Sequence, residues 1–220
     1  SYYERFDSLR DLAEDILLFL DALKIASADF VGWSTGGGII LELAAMYPDV
    51  VNSLILIESA SHKGYPIFQK DAQNQAILGK PYTSKEDMEK DPIQVLPAIE
   101  AMKKKDFAFM NWLWDISIYT VNKPDPVENK VWIEETLKQR NLIDIDWALA
   151  TFNMSDQPNF YVPGQNTITH VKAKSLHIWS KNDLVVLEYM VQENVNALQD
   201  TATYKVYEKG GHSPIVDNLE

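Results

Sequence analysis

The segment Ala28-Asp29-Phe30-Val31-Gly32-Trp33-Ser34-Thr35-Gly36-Gly37-Gly38 constrains this chain more than any other. A short apolar run ends in a serine with glycine two residues before and two after, and an apolar, helix-compatible stretch from Ile39 to Tyr47 follows at once. The pattern reads as strand, tight turn, helix. A turn that sharp holds its central residue in a strained backbone, and side chains at the two-residue offsets are expected to clash, hence Gly32 and Gly36. Gly37 and Gly38 are expected to let the helix approach the sheet. Pro48 and Asp49 close the helix, and Leu54-Ile55-Leu56-Ile57 is the continuous apolar run of a strand buried on both faces, as in parallel sheets.

The rest of the chain repeats this alternation around an interruption. Leu9, Leu12, Ala13, Ile16, Leu17, Leu20 and Leu23 recur at helical spacing behind Ser8 and Asp11, which are placed as a capping pair. From Ser61 to His170 the pattern turns to helical segments broken by prolines and rich in aromatics, with no convincing strand. Ser175-Leu176-His177-Ile178-Trp179 then resumes the strand type, Leu187 to Leu198 traces a helix, and Ala202 to Glu208 reads as a last strand. The expected architecture is an α/β fold: a mostly parallel sheet flanked by helices, with core residues 1–60 and 171–220 and a helical insertion over residues 61–170.

Gly32-Trp33-Ser34-Thr35-Gly36 matches G-x-S-x-G in the strand-to-helix setting that this motif requires. A serine hydroxyl is a weak nucleophile and needs a base, which in turn needs a carboxylate to fix its tautomer. Asp183 follows one predicted strand and His212 follows the next, and the edge at which parallel strands end is where such groups converge. The backbone N–H of Thr35, at the helix N-terminus, is placed to stabilise a developing oxyanion. Each reading has a bland rival: a glycine-rich turn with an incidental serine, a surface turn at Asn182-Asp183, a loop histidine at His212. Glu58, at the end of the strand after the turn, competes with Asp183 for the role of acid. A phosphate-binding turn is disfavoured, because neither the GxxxxGK[ST] lysine nor GxGxxG spacing is present. His62, His170 and His177 are read as structural.

With the order Ser34, Asp183, His212, the chain resembles the α/β-hydrolase superfamily. The resemblance implies attack on an activated carbonyl through a covalent intermediate, without cofactor, and makes residues 61–170 similar to the family's lid. The Ser-Thr-Gly-Gly-Gly turn is also similar to that of the cofactor-free haloperoxidase and perhydrolase branch, although Trp33 stands where that branch tends to carry histidine. The expected substrate is a small or medium, largely apolar ester, thioester or lactone. The same site would serve carbon–carbon hydrolysis, perhydrolysis or acyl transfer, and a non-catalytic small-ligand receptor is the alternative of another class. Family members carry strands before the turn strand; the expectation is that roughly 60 to 80 residues precede Ser1 and that a helix continues past Glu220. The aromatic residues Trp112, Trp114, Trp132 and Trp147 are expected mostly to pack the insertion, with some facing an apolar pocket.

Composition narrows the partners. A net charge of −12 repels polyanions, so nucleic acid is not expected. With no cysteine and four histidines lacking paired-ligand spacing, no metal site is expected. No run reaches the roughly 18 to 20 apolar residues of a membrane span. A cysteine-free acidic chain fits the cytoplasm, and nothing in the sequence fixes an oligomeric state.

Overall fold

The computed structural model describes residues 5–217. The strands expected before Ser1 and the helix expected past Glu220 lie outside these residues. Helix α1 (Leu9–Leu23) starts at a reciprocal cap, in which Asp11 N donates to Ser8 Oγ and Ser8 N donates to the Asp11 carboxylate, and it ends at Lys24 in the left-handed region. Strand β1 (Ala28–Trp33) runs into the turn at Ser34 and helix α2 (Thr35–Met46), and β2 (Val51–Ile57) pairs parallel to β1 with Phe30 opposite Leu54. Leu9 and Ala13 of α1 pack with Ile40, Leu41 and Ala44 of α2 and with Leu54 and Leu56 of β2 in the main core.

The insertion then leaves the sheet. Contrary to the expectation of helices alone, it opens with an antiparallel pair, β3 (Phe68–Lys70) and β4 (Ala76–Pro81). Neither strand has an apolar alternation to betray it: β3 is three residues long, and β4 contains Gly79 and ends on Pro81. Helices α3 (Lys85–Met88), α4 (Leu96–Lys104), α5 (Phe107–Ser117), α6 (Pro126–Thr136) and α7 (Leu142–Ala150) follow. Two apolar clusters belong to the insertion alone, one around Met88, Val95 and Ile143, the other around Met110, Ile133 and Leu137. Ala148, Phe152, Met154 and Ile168 pack instead in the main core with α1 and α2.

A single 3-10 turn (Thr167–His170) leads back to β5 (Lys174–Ser180), which pairs parallel to β2, and then to α8 (Glu188–Ala197), β6 (Ala202–Tyr207) and α9 (Pro214–Asp217). The sheet order is β1-β2-β5-β6, all parallel, so the four strands end on one edge. Ser34, Glu58, Asp183 and His212 each lie just beyond one of those ends. Among the described residues no helix is long and apolar enough to cross a membrane.

Candidate active site

At the first strand end the turn is as tight as its glycines require. Ser34 has φ 54° and ψ −120°, a conformation costing roughly 1–3 kcal/mol for a side-chain-bearing residue. It is fixed by its N–H donating to Ile57 O and by its carbonyl accepting from Gly37 N and Ala60 N. A Cβ on Gly32 would meet Gly36 O at 2.5 Å, and one on Gly37 would meet Ser59 Oγ at 2.0 Å. The expectation for Gly36 does not hold: a Cβ there meets nothing within 4 Å. Gly38 also differs, facing Leu9 of α1 and Phe152 rather than the sheet. The Thr35 N–H, first in α2, has no intrahelical acceptor and stands at the positive end of the helix, one residue after Ser34.

His212 brings the other two strand ends to the serine. Its Nε2 lies 2.9 Å from Ser34 Oγ and its Nδ1 2.9 Å from Asp183 Oδ2, with histidine and aspartate both buried. Asp183 Oδ1 accepts from the N–H groups of Val185 and Val186 at 2.7 and 3.0 Å, which turns Oδ2 towards the ring. A carboxylate on Nδ1 leaves Nε2 free to take the serine proton. The loop before the histidine is clamped: Gly211 N donates to Asp217 Oδ2 at 2.6 Å, and Thr120 Oγ1, which a Cβ on Gly211 would meet at 2.1 Å, donates to Asn182 O.

Glu58 does not reach His212. It is fully buried in the left-handed region (φ 45°), next to Asp183 and Ser180, and neither of its oxygens has a hydrogen-bond partner. Burial first, and then the negative charge of Asp183, push its carboxyl up to about 9. Glu58 therefore keeps its proton at neutral pH, beside the Asp183 carboxyl group that is bonded to the histidine. His62 Nδ1 donates to Asn194 Oδ1, His177 is buried within β5 on Ser175 Oγ, and His170 is exposed, so none of the three approaches the serine. Burial lowers the titration of His62 and takes His177 down to about 4.

A cavity of about 190 Å³ opens over Ser34. Ala60, Ile67, Leu149, Val185 and Val186 supply its apolar wall, and Thr35, Tyr65, Gln94 and Asp146 its polar one. None of the insertion tryptophans lines it, contrary to expectation. Trp112 and Trp132 are exposed, Trp147 packs edge-on against Tyr161, and Trp114 lies 6.4 Å from Trp33. A larger cleft of about 660 Å³, between Arg5, Met102, Leu137 and Arg140, shares no residue with this site. Asp146, Tyr65 and Gln94 carried no motif in the sequence. Trp33 was legible as a turn residue, but not as the donor of a 2.6 Å hydrogen bond to His212 O.

Residues 4–219 match the family model for the alpha/beta hydrolase fold. The chain belongs to that family. Among known proteins, the 2-hydroxymuconate semialdehyde hydrolase of Pseudomonas sp. (strain CF600) is 56% identical over 41 residues, which make up 19% of this chain and 14% of that protein. The esterase of Exiguobacterium antarcticum superposes with a TM-score of 0.63 at 18% identity, over 96% of this alpha/beta hydrolase and 69% of that chain. The meta-cleavage product hydrolase of Pseudomonas fluorescens IP01 gives 0.58 at 19% identity, over 100% of this chain and 70% of that one. At such identities the superpositions speak for the shared fold alone.

Proposed function

We propose that the protein is a serine hydrolase of short, uncharged carboxylic esters, thioesters or lactones, with Ser34 as nucleophile, His212 as general base and Asp183 as the orienting acid. The observation that carries this reading is the unbroken chain of hydrogen bonds, 2.9 Å at each link, from a strained Ser34 through His212 to Asp183. Ser34 Oγ attacks the carbonyl carbon while its proton passes to His212 Nε2. The Thr35 N–H supports the oxyanion, the leaving alcohol takes the proton from the imidazolium, and water repeats the sequence to free the acid. Asp183 stays ionised and stabilises the imidazolium throughout.

The cavity supports a short acyl group: 190 Å³ holds about six non-hydrogen atoms at the roughly 30 Å³ that one water molecule occupies. The insertion over residues 61–170 acts as the lid, since Ile67, Gln94, Asp146 and Leu149 form cavity wall from that side. The test is a fluorophosphonate probe with the adduct located by peptide mass spectrometry. Labelling confined to Ser34, lost in Ser34→Ala and His212→Ala, is the expected result. A folded protein that does not label overturns the reading and leaves a ligand receptor on the same fold. Carbon–carbon hydrolysis at the same serine is the second reading, favoured by the 56% identical segment shared with 2-hydroxymuconate semialdehyde hydrolase; turnover of a vinylogous ketone faster than of any ester would select it.

A further inference from the structure

The wall of the Ser34 cavity contains one carboxyl group that the hydrolytic steps do not use. Asp146 lies on α7, beside apolar wall residues and two polar side chains that are themselves engaged. The Tyr65 hydroxyl donates to Val185 O at 3.0 Å, and Gln94 Oε1 accepts from Lys70 Nζ at 2.8 Å. Asp146 has no hydrogen-bond or ion-pair partner among the described residues, although it is half-buried and lines the cavity together with Ser34. Its counterpart two residues earlier, Asp144, is ion-paired with Arg5 and Lys85 on another face of the helix. A ligand that fills this cavity displaces water from the Asp146 carboxyl and must supply a hydrogen bond in its place.

We infer that Asp146 is a substrate-recognition residue that accepts a hydrogen bond from a hydroxyl group carried on the short acyl chain of the ester attacked by Ser34. The inference rests on the serine-hydrolase reading. Three observations select a hydroxyl. Among the described residues no lysine or arginine lines the cavity, and the charge that acts on Asp146 is the carboxylate of Asp91, itself held by Lys70 and Tyr82, so an anionic acyl group finds no cationic partner on the wall. Burial, followed by Asp91, pushes the Asp146 carboxyl up to about 7, so both its forms are present near neutrality. A hydroxyl can donate to the carboxylate or accept from the acid, whereas an ammonium suits the carboxylate alone and must shed its water against Ile67, Leu149, Val185 and Val186.

The experiment compares ethyl butanoate with its 3-hydroxy and 4-hydroxy derivatives, ethyl 4-aminobutanoate and monoethyl succinate, by kcat/KM in a pH-stat. The better hydroxy ester is expected to exceed ethyl butanoate by about tenfold or more, the worth of one well-placed hydrogen bond. Asp146→Leu should bring that ratio to within about twofold of one, and Asp146→Asn, which keeps an acceptor of the same shape, should retain part of it; a purely structural aspartate would not produce this graded ratio. A ratio near one in the parent, a ratio unmoved in a folded Asp146→Leu, or the amino ester as best substrate overturns the inference. Fluorophosphonate labelling of Ser34 reports separately on the hydrolase reading. NMR titration of Ser34→Ala with ethyl butanoate and the hydroxy esters reads the recognition without turnover, so the loss of either reading is visible while the other stands.

Discussion

The indole Nε1 of Trp33 donates a 2.6 Å hydrogen bond to the backbone carbonyl of His212, and the two rings lie 5.2 Å apart between centroids. The residue before the proposed nucleophile therefore holds the loop that carries the proposed base, across 179 positions of sequence. Trp33→Phe keeps the ring and removes the donor. One neutral hydrogen bond is worth about 1 kcal/mol, so the unfolding free energy from urea curves should fall by that amount and kcat should fall by roughly five- to tenfold. Broadening of the downfield proton signal of His212 Nδ1 would show that the loss acts through the histidine.

Asp183 and Glu58 can be separated by substitution. Asp183→Asn should lower kcat by about 10⁴, because the amide favours the wrong imidazole tautomer. Glu58→Gln replaces a group that already holds its proton at neutral pH, so kcat should remain within a few fold of the parent. The reverse ranking in an ester assay would make Glu58 the acid.

The same buried carboxyl predicts how stability depends on pH. In the unfolded chain Glu58 releases its proton near 4.5, whereas in the fold it keeps the proton up to about 9. The unfolded state thus binds fewer protons in that window, and the parent loses about 1.4 kcal/mol of stability per pH unit as pH rises through it. Glu58→Gln lacks this dependence, so urea curves at pH 5, 7 and 8.5 should show the variant gaining on the parent at each step. His177 acts on the acid side with the opposite sign. Its folded titration near 4 lies below its ordinary 6.5, so stability is lost as pH falls between those values.

Lys70 and Asp91 form a buried ion pair, 2.7 Å apart, in the part of the insertion that carries Gln94 to the cavity. Four donors converge on that carboxylate: Lys70, the Tyr82 hydroxyl, and the N–H groups of Ile93 and Gln94. Lys70→Met strands a buried charge and should cost about 3–5 kcal/mol in denaturant unfolding. Adding Asp91→Asn should recover a large part, since the second change removes the stranded charge.

The two glycines that bracket the serine should behave differently. Gly32→Ala drives a methyl group against the backbone of Gly36 and should slow fluorophosphonate labelling about 100-fold by misplacing Ser34. Gly36→Ala meets nothing and lies in the first turn of α2, where alanine is the better helix former by up to about 1 kcal/mol. Its labelling rate should stay within about threefold of the parent.

The proposed site was legible where local rules decide it. Ser34, Asp183 and His212 each come after a short strand-type run, Ala28–Trp33, Lys174–Ser180 and Ala202–Tyr207, and parallel strands end on one side. The hairpin of β3 and β4 was not legible, because its strands are held by backbone pairing and leave Leu78 82% exposed, so no apolar period marks them. Asp146 was hidden for another reason. Asp144 and Asp146 sit about 200° apart around α7, and only the packing of that helix decides which one meets Arg5 and Lys85 and which one meets the cavity. The aromatic residues of the insertion misled in the same way, since side-chain type indicates burial but not the face against which it occurs.

Strands β2 and β5 are paired from Ser53 opposite Lys174 to Ile57 opposite Ile178, with the whole insertion between them in the chain. Closing so long a loop is slow compared with forming the helices inside it. During synthesis, a chain that has grown only as far as α7 already contains the serine turn but neither His212 nor Asp183. The hydroxyl is then an ordinary alcohol. If Ser34 is the nucleophile proposed above, its reactivity and the final closure of the sheet arrive in one event, so the cell would not meet the activated serine until the molecule that carries it has finished folding.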